Sequence, residues 1–150
     1  MVDLADFVPP MPGRALGGPG AWRGAEMARR DDWMHCLSPV EVGEIAAAVA
    51  AHGASGRQIQ EITADTFPLP TLGPRLRAFG AEILRGRGFV LLRGLPVERW
   101  SVPETATAYY GLGTHLGRVL SQNVRGHLLD HVQDTGQSLS NPNVRAYQLD

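Results

Sequence analysis

Five histidines, His35, His52, His115, His127 and His131, are the residues of this sequence best suited to holding a metal ion. A mononuclear non-haem iron site takes two histidines and one carboxylate on one side of the metal and leaves positions open for a cosubstrate and oxygen. Its usual sequence form is His-x-Asp/Glu with a second, distant histidine, and none of the five is followed two residues later by an acid. That triad is therefore not written here, and no residue is assigned a catalytic or metal-ligating role. His127 and His131 are four apart and would share one face of a helix, as paired zinc ligands do, with Asp130 or Asp134 as the acid. Gly126 precedes them without a strong helix cap, however, and in a strand they would stand about 13 Å apart, too far to share one ion. Two histidines on one strand face is the reading this spacing favours. His115, near Gly113 and Gly117, reads as a packed or hydrogen-bonded turn histidine. His35 and Cys36 flank Trp33 in a loop before a helix and read as structural.

Other chemistries find less support. No Gly-x-Gly-x-x-Gly follows a strand and no Gly-Lys-Ser/Thr occurs, which disfavours nucleotide binding. Ser38 and Ser101 are accounted for as helix caps, and neither lies in a Gly-x-Ser-x-Gly elbow. Arg29-Arg30-Asp31-Asp32 sets two positives beside two negatives and reads as a solvated surface stretch. Fourteen Lys+Arg against fifteen Asp+Glu give a net charge of -1, so no overall basic field exists to hold nucleic acid or an anionic membrane. The longest apolar run, residues 45–51, is far short of the roughly 20 needed to span a bilayer. Cys36 is the single cysteine, which excludes an intrachain disulfide and fits a reducing compartment, with the cytoplasm as the default.

The elements that must position these residues can be placed along the 150-residue chain. Pro9, Pro10, Pro12, Gly13, Gly17, Gly18, Pro19 and Gly20 make residues 1–20 a loose arm, and residues 21–150 carry the folded domain. Ser38-Pro39-Val40-Glu41 supplies a capping serine, a proline at the first helical position and a glutamate at the third. Val42, Ile45, Ala46 and Val49 follow as one buried stripe, and Gly53 is the expected stop. A second helix is predicted from about Pro74, with Leu76, Phe79, Ile83 and Leu84 on one face. Phe89-Val90-Leu91-Leu92 suits a strand buried on both faces. Ser101-Val102-Pro103-Glu104 repeats the capping box and opens a third helix carrying Ala106, Tyr109 and Tyr110 to Gly111-Leu112-Gly113. Residues 127–132 and 144–149 are strand candidates around a Ser-, Asn- and Pro-containing loop at 136–142.

Gly88-Phe89-Val90-Leu91-Leu92-Arg93-Gly94-Leu95-Pro96 resembles the early core strand of the taurine dioxygenase-like (TauD/TfdA) family of Fe(II)/2-oxoglutarate-dependent dioxygenases. Further elements similar to a bacterial branch of that family keep its order: Phe67-Pro68-Leu69-Pro70-Thr71-Leu72, Gly113-Thr114-His115-Leu116-Gly117, Ser121-Gln122-Asn123, Gly126-His127-Leu128-Leu129 and Asn141-Pro142-Asn143-Val144-Arg145-Ala146-Tyr147-Gln148. The resemblance implies an α+β fold, with an N-terminal helical layer and the first strands of a double-stranded β-helix (jelly roll), incomplete within this sequence. It implies Fe(II) and 2-oxoglutarate as cofactors of the complete enzyme, none of them held by this chain alone. The iron ligands and the cosubstrate-binding arginine would lie beyond Asp150. A small organic molecule and O₂ would be the substrates.

The Ser121-Gln122-Asn123 loop would border the substrate side. The amides of Gln122 and Asn123 are able to orient polar groups of a substrate by donating and accepting hydrogen bonds, and equally able to cap their own backbone. The alternatives are a catalytically silent binding module that retains the N-terminal layer, associating through exposed strand edges, and a small histidine-based zinc protein.

Overall fold

The computed structural model describes residues 13, 17–121, 126–130, 132–133 and 148–149. Among them are four α-helices, α1 (Gly24–Met27), α2 (Pro39–Ser55), α3 (Leu72–Arg85) and α4 (Val102–Leu116), and four short strands, β1 (Met34–Cys36), β2 (Leu91–Arg93), β3 (Val132–Gln133) and β4 (Gln148–Leu149). The class is α+β. β1 and β2 form a parallel pair with Met34 opposite Leu91 and Cys36 opposite Arg93, while β3 and β4 pair antiparallel. No helix among the described residues is long and apolar enough to cross a membrane.

Both capping boxes form as the sequence dictates. The Ser38 hydroxyl accepts the Glu41 amide at 3.3 Å and the Glu41 carboxylate accepts the Ser38 amide at 2.8 Å, which satisfies two otherwise orphaned donors at the start of α2. Ser101 and Glu104 repeat the arrangement at α4. Helix α3 has no side-chain cap of its own. Glu44 of α2 supplies one across the fold, its carboxylate accepting the amides of Thr71 and Leu72 at 2.9 and 3.1 Å.

Helices α2 and α3 pack against α4. The core they enclose holds Ile45, Ala48 and Val49 from α2, Leu72 and Leu76 from α3, and Ala108, Tyr110 and Leu112 from α4, closed by Ile62, Phe67 and Leu69 of the connection between α2 and α3. The ring of Phe67 occupies space that a side chain at position 111 would need: a Cβ on Gly111 would lie 2.6 Å from two of its ring atoms.

Several expectations are corrected. Gly53 does not end α2, which continues to Ser55 and stops at Gly56, the residue in the left-handed conformation (φ 68°). The buried face of α2 centres on Glu41, Ile45, Ala48 and Val49, so the predicted stripe is rotated by part of a turn. Helix α3 begins two residues earlier than Pro74, and Ile83 and Leu84 are exposed, because its final turn runs past the core formed by Leu72, Leu76 and Gly80. The strand at β2 is not buried on both faces. Leu91 is 42% exposed, and only one neighbouring strand, β1, covers it among the described residues. Helix α4 continues through Gly111-Leu112-Gly113 to Leu116, and Tyr109 is 67% exposed. His35 and Cys36 belong to strand β1 rather than to a loop. The 127–132 strand candidate is reduced to Val132–Gln133, with residues 126–130 not in a strand, and of the 144–149 candidate the described part is Gln148–Leu149.

Candidate functional site

The C-terminal half of α4 forms one wall of a cleft of about 650 Å³, with Tyr109, Tyr110, Leu112, Gly113 and Leu116 facing it. Leu92 of β2 and Leu95 just beyond it form the second wall, and the chain on either side of residues 122–125 completes the lining through Val119 and Leu120 before and Leu128 and Leu129 after. The cleft opens where α4 ends: Tyr110 and Leu112 are buried, whereas Leu116 in the last turn is 39% exposed and Leu120, beyond the helix, 59% exposed. Its volume falls within the range of small-molecule sites, which are mostly apolar with a few placed polar groups. Here those groups are the phenols of Tyr109 and Tyr110 and the guanidinium of Arg118 at the exposed rim, and no carboxylate is in the described lining.

Gln122 and Asn123 lie outside the described residues, but the chain on both sides of them lines this cleft. His131, of the zinc alternative, also lies outside. His127 is described, and its Nδ1 stands 3.5 Å from the Asp130 carboxylate, whose side chain is 6% exposed. The 13 Å strand separation therefore does not apply to residues 126–130, which are not extended into a strand. Among the described residues no group of three or more His, Cys, Asp or Glu side chains is placed to hold a metal ion.

Two charged constellations were not read as such from the sequence. The first is Glu41, only 2% exposed. Its two oxygens share His35 Nε2 at 3.1 and 3.2 Å, one accepts the Ser38 hydroxyl at 2.9 Å, and Arg75 Nε stands 3.4 Å from the other. Burial pushes this carboxyl up, but the hydrogen bonds from Ser38 and His35 outweigh it and hold the group below its ordinary range. The same balance holds at Glu44, where burial is opposed by the donors of Thr71 and Leu72. With its oxygens engaged by three elements, Glu41 serves as a joint between β1, α2 and α3. The signal was present, since the capping box marked Glu41, but pairing with His35 depends on how β1 lies against α2.

The second constellation corrects the reading of residues 29–32 as merely solvated. Asp32 does pair with Arg30, at 2.6 Å, but it also reaches Arg87 at 3.2 Å, and Arg87 Nε meets Glu82 at 2.8 Å. The hydrogen bond from Arg30, helped by the nearby Arg87, holds the Asp32 carboxyl well below the usual range against the opposing effect of desolvation. This chain of charges ties the segment before β1 to the end of α3, beside Trp22 and Trp33, which pack on Phe89.

His115 is hydrogen-bonded, as expected, though within the last turn of α4 rather than in a turn: its Nε2 donates to the Phe67 carbonyl at 2.8 Å. Because a carbonyl only accepts, Nε2 carries the proton. Nδ1 is buried without a partner and packs where Gly73 leaves room, since a Cβ there would stand 3.3 Å away.

No protein-family model matches the sequence. Among curated proteins, a taurine hydroxylase-like protein of Stachybotrys chartarum is 33% identical over 115 residues, covering 76% of this chain and 30% of that protein. FR-33289 synthase of Streptomyces rubellomurinus is 26% identical over 136 residues, covering 90% of this chain and 40% of its own length. The chain thus spans less than half the length of either relative, and over most of its own length it is similar to a taurine hydroxylase-like protein at modest identity.

Proposed function

We propose that this chain is the N-terminal portion of a TauD/TfdA-like Fe(II)/2-oxoglutarate-dependent dioxygenase, an oxidoreductase that oxidises a small organic molecule with O₂. The observation that carries the reading is the similarity to a taurine hydroxylase-like protein over 76% of the chain. The ordered series of motifs from Phe67 to Gln148 supports it, as does a helical layer that leaves an apolar cleft open beside β2. In this reading the domain is residues 21–150 preceded by an arm, the first strands belong to a jelly roll, and the protein acts in the cytoplasm.

The described residues do not fit a resident iron ion, since no suitable group of ligands is assembled among them. What this chain contributes is positioning. The cleft excludes water from an apolar part of the substrate, and Gln122 and Asn123 orient its polar groups by hydrogen bonds.

The coding sequence downstream of codon 150 tests the proposal, with an in-frame His-x-Asp as the expected result and its absence from every frame as the refutation. The 150-residue chain supplied with Fe(II), ascorbate and 2-oxoglutarate should release no succinate above the metal-only blank, because no His-x-Asp/Glu occurs in its sequence to begin a facial triad. Stoichiometric iron binding with turnover would overturn that expectation.

A further inference from the structure

We infer that the cleft between α4 and β2 binds a neutral molecule with a hydrocarbon body and at least one hydrogen-bonding oxygen, rather than a small zwitterion. The described lining is mainly leucine and valine, so most of any occupant's surface meets apolar side chains. Charge complementarity narrows the class. An amino-sulfonate such as taurine would bring an ammonium group into a lining whose single described charge is the guanidinium of Arg118, with no carboxylate among the described lining residues to pair it. Desolvating an unpaired ammonium is strongly unfavourable. An anionic group at the rim would meet Arg118 in solvent, where such a pair contributes little. Tyr110 is 5% exposed and is the one buried side chain of the described lining that can hydrogen-bond, so its phenol is the polar contact available to an oxygen carried inside the cleft. A volume of about 650 Å³ holds a body of two or more fused rings, far larger than taurine.

This inference rests on the dioxygenase reading only in calling the bound molecule a substrate. Binding itself is tested on the 150-residue chain with 6-propionyl-2-(dimethylamino)naphthalene, a neutral fluorescent ketone. Saturable binding at one site is expected. Leu120→Glu, at a 59% exposed position where a folding defect is not expected, should weaken it at least about tenfold, because a carboxylate enters the apolar lining. Tyr110→Phe should weaken it about fivefold through loss of one hydrogen bond. Val40→Asp, exposed on α2 away from the cleft lining, should bind as the wild type does. Three results would each overturn the inference: displacement of the ketone by taurine at matching concentration, unaltered binding by Leu120→Glu, or a signal that rises only with self-association in sedimentation velocity. The last would make the cleft a protein contact surface. Failure to find a downstream metal motif would overturn the dioxygenase reading and leave this binding result standing.

Discussion

Gly111→Ala should destabilise the protein although alanine is the better helix former. Gly111 lies inside α4, and a Cβ there would sit 2.6, 2.6 and 2.7 Å from Cδ1, Cε1 and Cγ of Phe67. Carbon atoms pack at about 3.5 to 4.0 Å, so the overlap is roughly 1 Å. The ring cannot swing aside cheaply: Phe67 is fully buried, its amide is bonded to the Thr63 carbonyl at 2.9 Å, and its own carbonyl is held by His115. Overpacking of this kind costs about 1–3 kcal/mol, whereas replacing a mid-helix glycine by alanine returns up to about 1 kcal/mol. Gly113 supplies the control, because it lies two residues on in the same helix and a Cβ there meets nothing within 4 Å. The propensity gain cancels between the two variants, so Gly113→Ala should exceed Gly111→Ala in stability by about 1–3 kcal/mol. Urea unfolding followed by far-UV circular dichroism measures the gap. Equal midpoints for the two variants would show that Phe67 is not wedged against α4. Phe67→Leu combined with Gly111→Ala should cost less than the sum of the single changes, since the smaller side chain makes room.

Three further outcomes follow from the same geometry. Glu41 and Glu44 have carboxyls held below their ordinary value of 4.5, so the unfolded chain binds protons more readily than the folded one; their stabilisation is present above that value and is lost as the pH falls through the folded values, and Glu41→Gln should lower stability at neutral pH while flattening the acid limb of a stability profile. Leu92→Asp should disrupt folding more than Leu91→Asp, measured by soluble yield and circular dichroism, because Leu92 packs against the core while Leu91 is 42% exposed. In the complete enzyme proposed above, Asn123→Ala should lower kcat/KM for the true substrate by the equivalent of ~0.5–1.5 kcal/mol and leave iron affinity unchanged; an unchanged kcat/KM would return Asn123 to a loop amide bonded to its own backbone.

The parts of the fold that could be read from the sequence are those decided within a few residues. Both capping boxes are closed by side chains three positions apart, and both form. Where the outcome depended on distant neighbours the reading failed. Strand β1 is only three residues long and exists because Leu91 and Arg93 offer it parallel partners far along the chain, a pairing with no local signature. Ile83 and Leu84 have the period of a buried face, yet their exposure is set by where the core ends. Gly53 and Gly56 are both able to stop α2, and the local sequence does not say which will turn left-handed.

The same division explains how the candidate site was only partly visible. The histidines are the residues that stand out as metal ligands, whereas the described wall of the cleft is built mainly from leucines contributed by β2, α4 and the chain beyond each. Nothing in any one segment marks those residues as a lining rather than a core; they become a lining because no described element covers the end of α4. Among the described residues, the glycines and the histidine of the motifs that carry the family resemblance act on the backbone. Gly88 and Gly94 both have φ of 93° and bracket β2, and a Cβ on Gly94 would approach the Leu37 carbonyl at 3.7 Å. A side-chain-bearing residue rarely adopts that conformation. His115 fixes α4 to the Phe67 turn through one hydrogen bond, so two separate motifs of the series meet at a single contact. Residues of this kind preserve the placement of walls and strands while leaving the chemistry to other groups. They therefore support assignment to a family more strongly than they specify a substrate, and the substrate has to be argued from the cleft those devices hold open.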